Sequence, residues 1–302
     1  MEPEAYHVPV LLNESIDGLN IDPNGVYVDV TFGGGGHSRE ILRRLDKGKL
    51  IVFDQDADAY ENRPNDDRLI FVRHNFRYIK HFLTYLGYDK VDGVLGDLGV
   101  SSHHFDTAER GFSFRFDGKL DMRMNYSSGI TAADVLNTYS ENDLMRIFRL
   151  YGEVDSPSKM VREIAAVRAT KPFENIEDLR EVGVKFVPSR EQNKHLAKVF
   201  QALRIEVNGE MEALTSLLNA CAEVVKPGGR ISIISYHSLE DRLVKNFIKS
   251  GKCDGGEIER DFYGNAEVPF TAVNRKLILP SESEIEINSR ARSAKLRIAE
   301  KV

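Results

Sequence analysis

The chain has 302 residues, 41% hydrophobic and 29% charged, with a net charge of −6, so it is long enough for one large α/β domain or for a domain with a substantial insertion. No apolar run reaches the roughly 18 residues of a membrane span, and the N-terminus lacks a basic, apolar, small-residue leader pattern; a soluble cytoplasmic protein is expected. Cys221 and Cys253 have neither disulfide-framework nor metal-site spacing and read as plain thiols.

The acidity does not exclude a nucleic-acid partner, because it is unevenly spread. Residues 1–100 hold 11 Lys and Arg against 17 Asp and Glu, residues 101–210 hold 16 against 17, and residues 226–302 hold 14 against 11. Cations for a phosphate backbone are therefore to be sought in the middle and C-terminal segments.

After an apolar segment at residues 6–12, Val26-Tyr27-Val28-Asp29-Val30 reads as a short strand. Residues 33–36 form a glycine turn, and Ser38-Arg39-Glu40-Ile41-Leu42 begins a helical pattern. Such a unit lets backbone approach a ligand closely and offers helix N-terminal amides to anionic groups, which points to a nucleotide-like guest. The dinucleotide fingerprint G-x-G-x-x-G fails in both registers, since Ser38 or Arg39 stands where the third glycine belongs. What remains is D-x-x-x-G-x-G, with Asp29, Gly33 and Gly35. That form recurs in methyltransferases using S-adenosylmethionine, where the acid pairs with the cofactor's ammonium; the alternative is a purely structural tight turn.

Leu50-Ile51-Val52-Phe53-Asp54 is a second strand ending in an acid, placed where nucleotide-binding folds put a carboxylate on ribose hydroxyls. The alternative for Asp54 is a helix N-cap. Leu69-Ile70-Phe71-Val72 is a third strand, followed by Phe76, which either stacks on an adenine ring or belongs to the core. A helical stretch at 78–86 precedes a fourth strand, 91–97, ending in Asp97. Ligands of open parallel sheets bind beyond the carboxyl ends of the strands, so Asp29, Asp54 and Asp97 are expected to converge on one crevice.

Residues 103–129 show no periodicity and interleave Phe105, Arg110, Phe112, Phe114, Arg115, Phe116, Lys119, Arg123 and Tyr126. Aromatic faces among cations suit stacking on unpaired bases and neutralising phosphates, with a small core beneath a loop as the alternative. A helical block follows to about residue 207, with helix starts at Ser140, Ser156-Pro157, Asn175 and Ser189. Its last helix carries Arg190, Lys194 and Lys198 along one side, either a solvated face or a nucleic-acid contact. From Asn208 a long amphipathic helix runs until Lys226-Pro227-Gly228-Gly229 breaks it.

Residues 230–235 resume the strand pattern, which makes the middle block an insertion in an α/β fold. Ser238 and Asp241 fit an N-cap and N3 pair, and His237 before them either meets substrate or shapes the turn. Two further strands are expected at 272–279 and 294–299. Between them Arg290 and Arg292, two apart, would share a face in extended chain and clamp a phosphate, or else form a solvated edge.

Several segments together resemble the MraW family of ribosomal RNA small subunit methyltransferases. They are Thr31-Phe32-Gly33-Gly34-Gly35-Gly36-His37-Ser38, Asp97-Leu98-Gly99-Val100-Ser101-Ser102, Glu109-Arg110-Gly111-Phe112-Ser113-Phe114, Leu120-Asp121-Met122-Arg123-Met124, residues 200–208, His237-Ser238-Leu239-Glu240-Asp241-Arg242 and Arg290-Ala291-Arg292-Ser293. The resemblance implies a class I, Rossmann-like methyltransferase domain (1–102 and 208–302) interrupted by a loop and helical substrate-recognition domain (103–207). It implies methyl transfer from S-adenosyl-L-methionine to N4 of a cytidine in the decoding region of bacterial 16S rRNA, within the small subunit or a late assembly intermediate. Monomer and homodimer both remain open, and neither metal nor membrane is called for.

Carried over by motif, the cofactor contacts fall on Gly35, Gly36, His37, Asp54, Phe76, Asp97 and His104. Asp97 is also the candidate catalytic acceptor, and Arg110, Phe112, Phe114, Arg123, His237, Arg290 and Arg292 are candidates for RNA. The chain departs from the family pattern at Ser101-Ser102-His103-His104, where Ser-Ser-Pro-Gln is common, at Tyr151-Gly152-Glu153-Val154 and at Asn288-Ser289-Arg290. Two rival readings share parts of the pattern. A nicotinamide-dependent oxidoreductase lacks support in the third glycine position, and a non-catalytic RNA-binding assembly factor would not need three acid-tipped strands.

Overall fold

The computed structural model describes residues 9–100, 107–257, 260, 262, 267–274 and 276–302. By contacts the chain separates into two units: Met1–Gly99 with Met211–Val302, and Val100–Glu210.

The first unit holds a seven-stranded sheet in the order β3-β2-β1-β4-β5-β7-β6. The strands are β1 Val26–Asp29, β2 Lys49–Phe53, β3 Leu69–Val72, β4 Val91–Asp97, β5 Val225–Ser235, β6 Phe270–Ala272 and β7 Lys295–Lys301. β1 to β5 run parallel, and β7 pairs antiparallel with both β5 and β6. This is the order of a class I, Rossmann-like methyltransferase sheet. The order reverses beside β1, which pairs with β2 on one side and β4 on the other, so the switch point lies where β1 and β4 end. β1 and β2 read as short apolar runs because helices cover both faces. One face packs Val28, Ile51, Phe53 and Val94 with Leu214, Leu217 and Leu218; the other packs Tyr27, Leu50, Val52 and Leu95 with Ile16, Leu19 and Ile41.

The flanking helices are α1 Leu12–Leu19, α2 Gly36–Arg44 and α3 Ile79–Tyr85 in the N-terminal part. α9 Glu210–Val224, α10 Ser238–Ser250 and α11 Glu282–Ile287 follow in the C-terminal part. The break expected at Lys226-Pro227-Gly228-Gly229 is instead absorbed within β5: register against β4 slips between Val91 and Gly93, opposite Val225 and Arg230, and Gly228 takes φ 78°. The strand expected at 272–279 is reduced to β6 and one bridge from Ile278 to Leu296. Val273 and Leu279 are exposed, so no buried face holds that run in the sheet.

The second unit packs α4 Ala132–Thr138, α5 Glu141–Leu150, α6 Ser158–Arg168, α7 Ile176–Val184 and α8 Gln192–Asn208 around Leu136, Leu144, Phe148, Ile164, Leu179 and Leu203. Reciprocal caps start α4 (Thr131 with Asp134) and α7 (Asn175 with Asp178), and the Ser140 side chain accepts from the Asp143 amide to start α5. Asn208 ends α8 instead of opening the next helix, because Gly209 turns left-handed at φ 57° and α9 begins at Glu210. Among the described residues no helix is long and apolar enough to cross a membrane.

Candidate active site

The glycine loop is braced from beneath by an acid. Asp29 is fully buried at the end of β1, where its carboxylate accepts from Ser38 Oγ at 2.6 Å and from the Thr31 amide at 3.0 Å. Burial raises its carboxyl above the ordinary range, opposed by the Ser38 hydroxyl, by nearby His37 and by the Thr31 amide. Asp29, expected to pair with the cofactor's ammonium, thus spends its charge on the loop itself. Gly35 caps α2 at φ 74°, and Gly33 sits at φ 51° with nothing within 4 Å of where a Cβ would stand. His37 lies in the first turn of α2, buried, with Nε2 3.0 Å from the Val10 carbonyl and Nδ1 3.9 Å from Asp97 Oδ2.

Asp54 follows β2 and ties two loops together: Oδ2 accepts from the Gly33 amide at 2.8 Å, and Oδ1 accepts from the Asp56 amide at 2.9 Å. Phe76 opens a short turn capped by Asn75 and packs partly buried against the sheet core. Asp97 ends β4 with its amide donating to Thr31 Oγ1 at 2.7 Å. Its Oδ1 is buried and has no hydrogen-bond partner among the described residues, and its charge helps to keep the buried Tyr236 phenol protonated. Asp29, Asp54, Asp97 and the glycine loop thus meet at one edge of the sheet, as the acid-tipped strands predict. His104 lies outside the described residues, as does Phe105.

His237 is the N-cap of α10, one residue earlier than the Ser238 frame read from sequence. Its Nδ1 accepts from the Glu240 amide at 3.4 Å, its Nε2 stands 3.1 Å from Glu240 Oε1, and Glu240 Oε2 accepts from the Tyr236 amide at 2.8 Å. The turn-shaping alternative describes that placement. Arg290 and Arg292 are exposed, but they lie on the 3-10 turn Ser289–Ser293 with buried Ala291 between them, not in extended chain. At three residues per turn, positions two apart diverge, so the shared face does not form.

In the helical unit, Arg110 is only 7% exposed and its Nη2 donates to the carbonyls of Arg123 and Met124. Phe112 is buried, and Phe114 meets Phe200 edge-on at 5.5 Å between centroids. Arg123 grips Asp121 through Nε and Nη2 at 2.9 and 2.7 Å and lies over the Tyr126 ring. These four therefore build the loop's interior, and Arg115, Phe116 and Tyr126 form its exposed part. Sequence reasoning did not single out Thr31 or Tyr236. Tyr236 adjoins a family motif, but its nearness to Asp97 comes only from β4–β5 pairing.

The MraW methylase family model matches residues 4–302. The chain belongs to the MraW methylase family. A protein of Bacteroides fragilis (strain YCH46) named ribosomal RNA small subunit methyltransferase H is 58% identical over 301 residues, covering 99% of both chains. Proteins of the same name from Phocaeicola vulgatus (58% over 299 residues, 99% of this chain and 98% of that one) and Flavobacterium johnsoniae (56% over 298 residues, 98% of each) are similarly close. As an MraW methylase with a class I fold, the chain uses S-adenosyl-L-methionine. The switch-point edge fits that cofactor: a bare Gly33 Cα admits close approach and α2 presents its N-terminal amides.

Proposed function

We propose that this chain methylates N4 of a cytidine in the decoding region of the 16S rRNA, on the small subunit or a late assembly intermediate. The names of its relatives support ribosomal RNA of the small subunit as substrate, and the shared family motifs support the cytidine. The observation that carries the chemistry is Asp97, an acid at the switch point whose Oδ1 is buried without a partner.

In this reading Gly35, Gly36, His37, Asp54 and Phe76 hold the cofactor, with Asp54 directed to the ribose hydroxyls, and residue 104 belongs to the same set. When bound, S-adenosylmethionine supplies an electrophilic methyl whose bonding pair returns to sulfur as the acceptor nitrogen forms its new bond. Cytosine N4 is a poor nucleophile because its lone pair is delocalised into the ring, so the protein's main contribution is placement. Asp97 accepts a hydrogen bond from the N4 amino group, aligns its lone pair and takes up the proton released as positive charge develops. The cytidine enters unstacked, and the unit Val100–Glu210 receives the surrounding RNA through exposed groups such as Arg115, Phe116 and Tyr126.

The test is transfer of labelled methyl to small subunits lacking the modification, naked 16S rRNA and DNA in parallel, with digestion to nucleosides. Label in N4-methylcytidine from either ribosomal substrate is expected. No incorporation into either, or label on another atom, overturns the reading.

A further inference from the structure

The glycine loop is gripped by two side chains that the acids at the strand ends do not include. Asn62 ends the 3-10 turn Asp58–Asn62, and its side-chain amide donates to the Gly33 carbonyl at 3.1 Å. Arg39, in the first turn of α2, spans the next step: Nη1 donates to the Gly34 carbonyl at 2.7 Å and Nη2 to the Asn62 carbonyl at 2.8 Å. The turn that supplies Asn62 is itself anchored, because the Tyr60 ring meets Phe71 edge-on at 5.1 Å and Phe71 meets Phe32, just before the loop, at 5.3 Å. Helix stability does not account for Arg39, since a cation in the first turn opposes the helix dipole and α2 has no acid there to offset it.

The carbonyl of a trans peptide and the N–H that follows it point in opposite directions. Asn62, by holding the Gly33 carbonyl, therefore turns the Gly34 N–H away from itself, and that N–H has no partner among the described residues. Arg39 fixes the next peptide in the same way, and there the Gly35 N–H closes a turn on the Phe32 carbonyl at 2.7 Å. Glycine takes φ of either sign at little cost, so without these donors the two peptides could rotate to point carbonyls where N–H groups are needed.

We propose that Arg39 and Asn62 are positioning residues for S-adenosylmethionine: they fix the peptides after Gly33 and Gly34 so that the loop is already set for the cofactor when it arrives. This rests on the reading of the glycine loop as the cofactor's seat, and not on the identity of the RNA target. The benefit is preorganisation, because the loop is ordered on folding and not on binding.

The experiment compares wild type, Asn62→Asp, Asn62→Ala, Arg39→Lys, Arg43→Ala and Gly33→Ala. It measures S-adenosylmethionine affinity by calorimetry, steady-state methyl transfer to unmodified small subunits and thermal midpoints. Asn62→Asp sets an acceptor against the Gly33 carbonyl and is expected to weaken cofactor binding about tenfold or more. Asn62→Ala, and Arg39→Lys with a point charge in place of the planar fork, should each weaken it about three- to tenfold. The KM for the cofactor should rise by the same factor, with kcat at saturation within about twofold of wild type. Arg43 lies exposed on the same helix and pairs with Glu40, so Arg43→Ala removes an equal charge without touching the loop and should bind as wild type does. Wild-type affinity in both Asn62→Asp and Arg39→Lys, an equal loss in Arg43→Ala, or a fall in kcat with affinity unchanged overturns the proposal. If Gly33→Ala alone weakens binding, the seat stands and the role of Arg39 and Asn62 is overturned; if Gly33→Ala also binds as wild type, the seat itself is overturned. Thermal midpoints within about 2 °C show that the weaker binders are folded. If the Asn62 variants melt early, Arg39→Lys, at an exposed position, must show the same split between KM and kcat.

Discussion

Ser38 Oγ donates to Asp29 Oδ2 at 2.6 Å, joining the first turn of α2 to the end of β1 with both side chains fully buried. Removing that hydroxyl leaves a buried acceptor short of a partner. Ser38→Ala is expected to cost about 1–3 kcal/mol of stability. Because burial raises the folded-state value of Asp29, its contribution is fully present below the unfolded value and is lost as pH rises through the folded one. The loss of Ser38 exposes the ionised form to a larger penalty, so the destabilisation should be greater at about pH 8 than at about pH 5. Urea midpoints of both proteins at the two pH values check this; equal differences would contradict it.

Two glycines three apart should lose stability for different reasons, and only one of them should also weaken cofactor binding. A Cβ on Gly36 would enter the Pro9 ring, so Gly36→Ala is expected to destabilise the fold by about 1–3 kcal/mol through overpacking. Gly33 has φ 51° and nothing within 4 Å, so Gly33→Ala should cost about 1–2 kcal/mol of backbone strain and weaken cofactor binding, with its methyl on the open side of the loop. Calorimetric affinity and thermal midpoint, measured on the same samples, separate the two.

Asp54→Asn replaces one oxygen facing the Gly33 and Asp56 amides with an amino group that repels them. The expected result is a rise of about tenfold or more in the KM for S-adenosylmethionine, with kcat at saturation changed less than about threefold. A fall in kcat alone would place Asp54 elsewhere in the mechanism.

Arg292 is exposed on the 3-10 turn Ser289–Ser293. If it meets RNA phosphate, Arg292→Ala lowers affinity for unmodified small subunits and reduces the slope of log affinity against log salt by about 0.7–0.9. An unchanged slope assigns the turn to solvent.

Burial pushes the Cys221 thiol up to about 12 and the Cys253 thiol up to about 11. Both lie far above the ordinary thiol range, so neither forms appreciable thiolate in the folded protein near neutral pH. Iodoacetamide labelling followed by mass spectrometry should show slow modification of the native protein and rapid modification in denaturing urea.

The parallel sheet was legible because its strands are short runs rich in Val, Ile and Leu, three of them tipped by acids, and β3 and β4 fall on the residues read as strands. Helix starts in the middle block were legible for the same local reason, since Ser140, Asn175 and Asp178 carry their own capping chemistry. What an acid at a strand end faces is not local. Asp29 and Asp97 look alike in sequence, yet one braces the loop from within and the other ends beside Tyr236. The aromatic and basic loop misleads by composition: Arg110 and Arg123 satisfy carbonyls and Asp121, a partner choice that depends on how the loop folds back on itself. For Arg290 and Arg292 only the extended-chain premise fails, because Asn288 caps a tight turn there, where alternation by two has no meaning.

β4 and β5 pair side by side, Asp97 opposite Ile234, although the whole segment from Val100 to Glu210 is synthesised between them. On the ribosome, β4 is an edge strand with a row of unmet backbone groups until β5 arrives. At about 5–20 residues per second that interval is on the order of ten seconds. The helical unit, which lies wholly within this interval, has time to fold first, while a parallel edge waits for its neighbour. The hazard in the life of this chain is therefore translational: premature termination inside the insertion leaves a sticky half-sheet, and yield should depend on elongation rate more than on the stability of the finished protein.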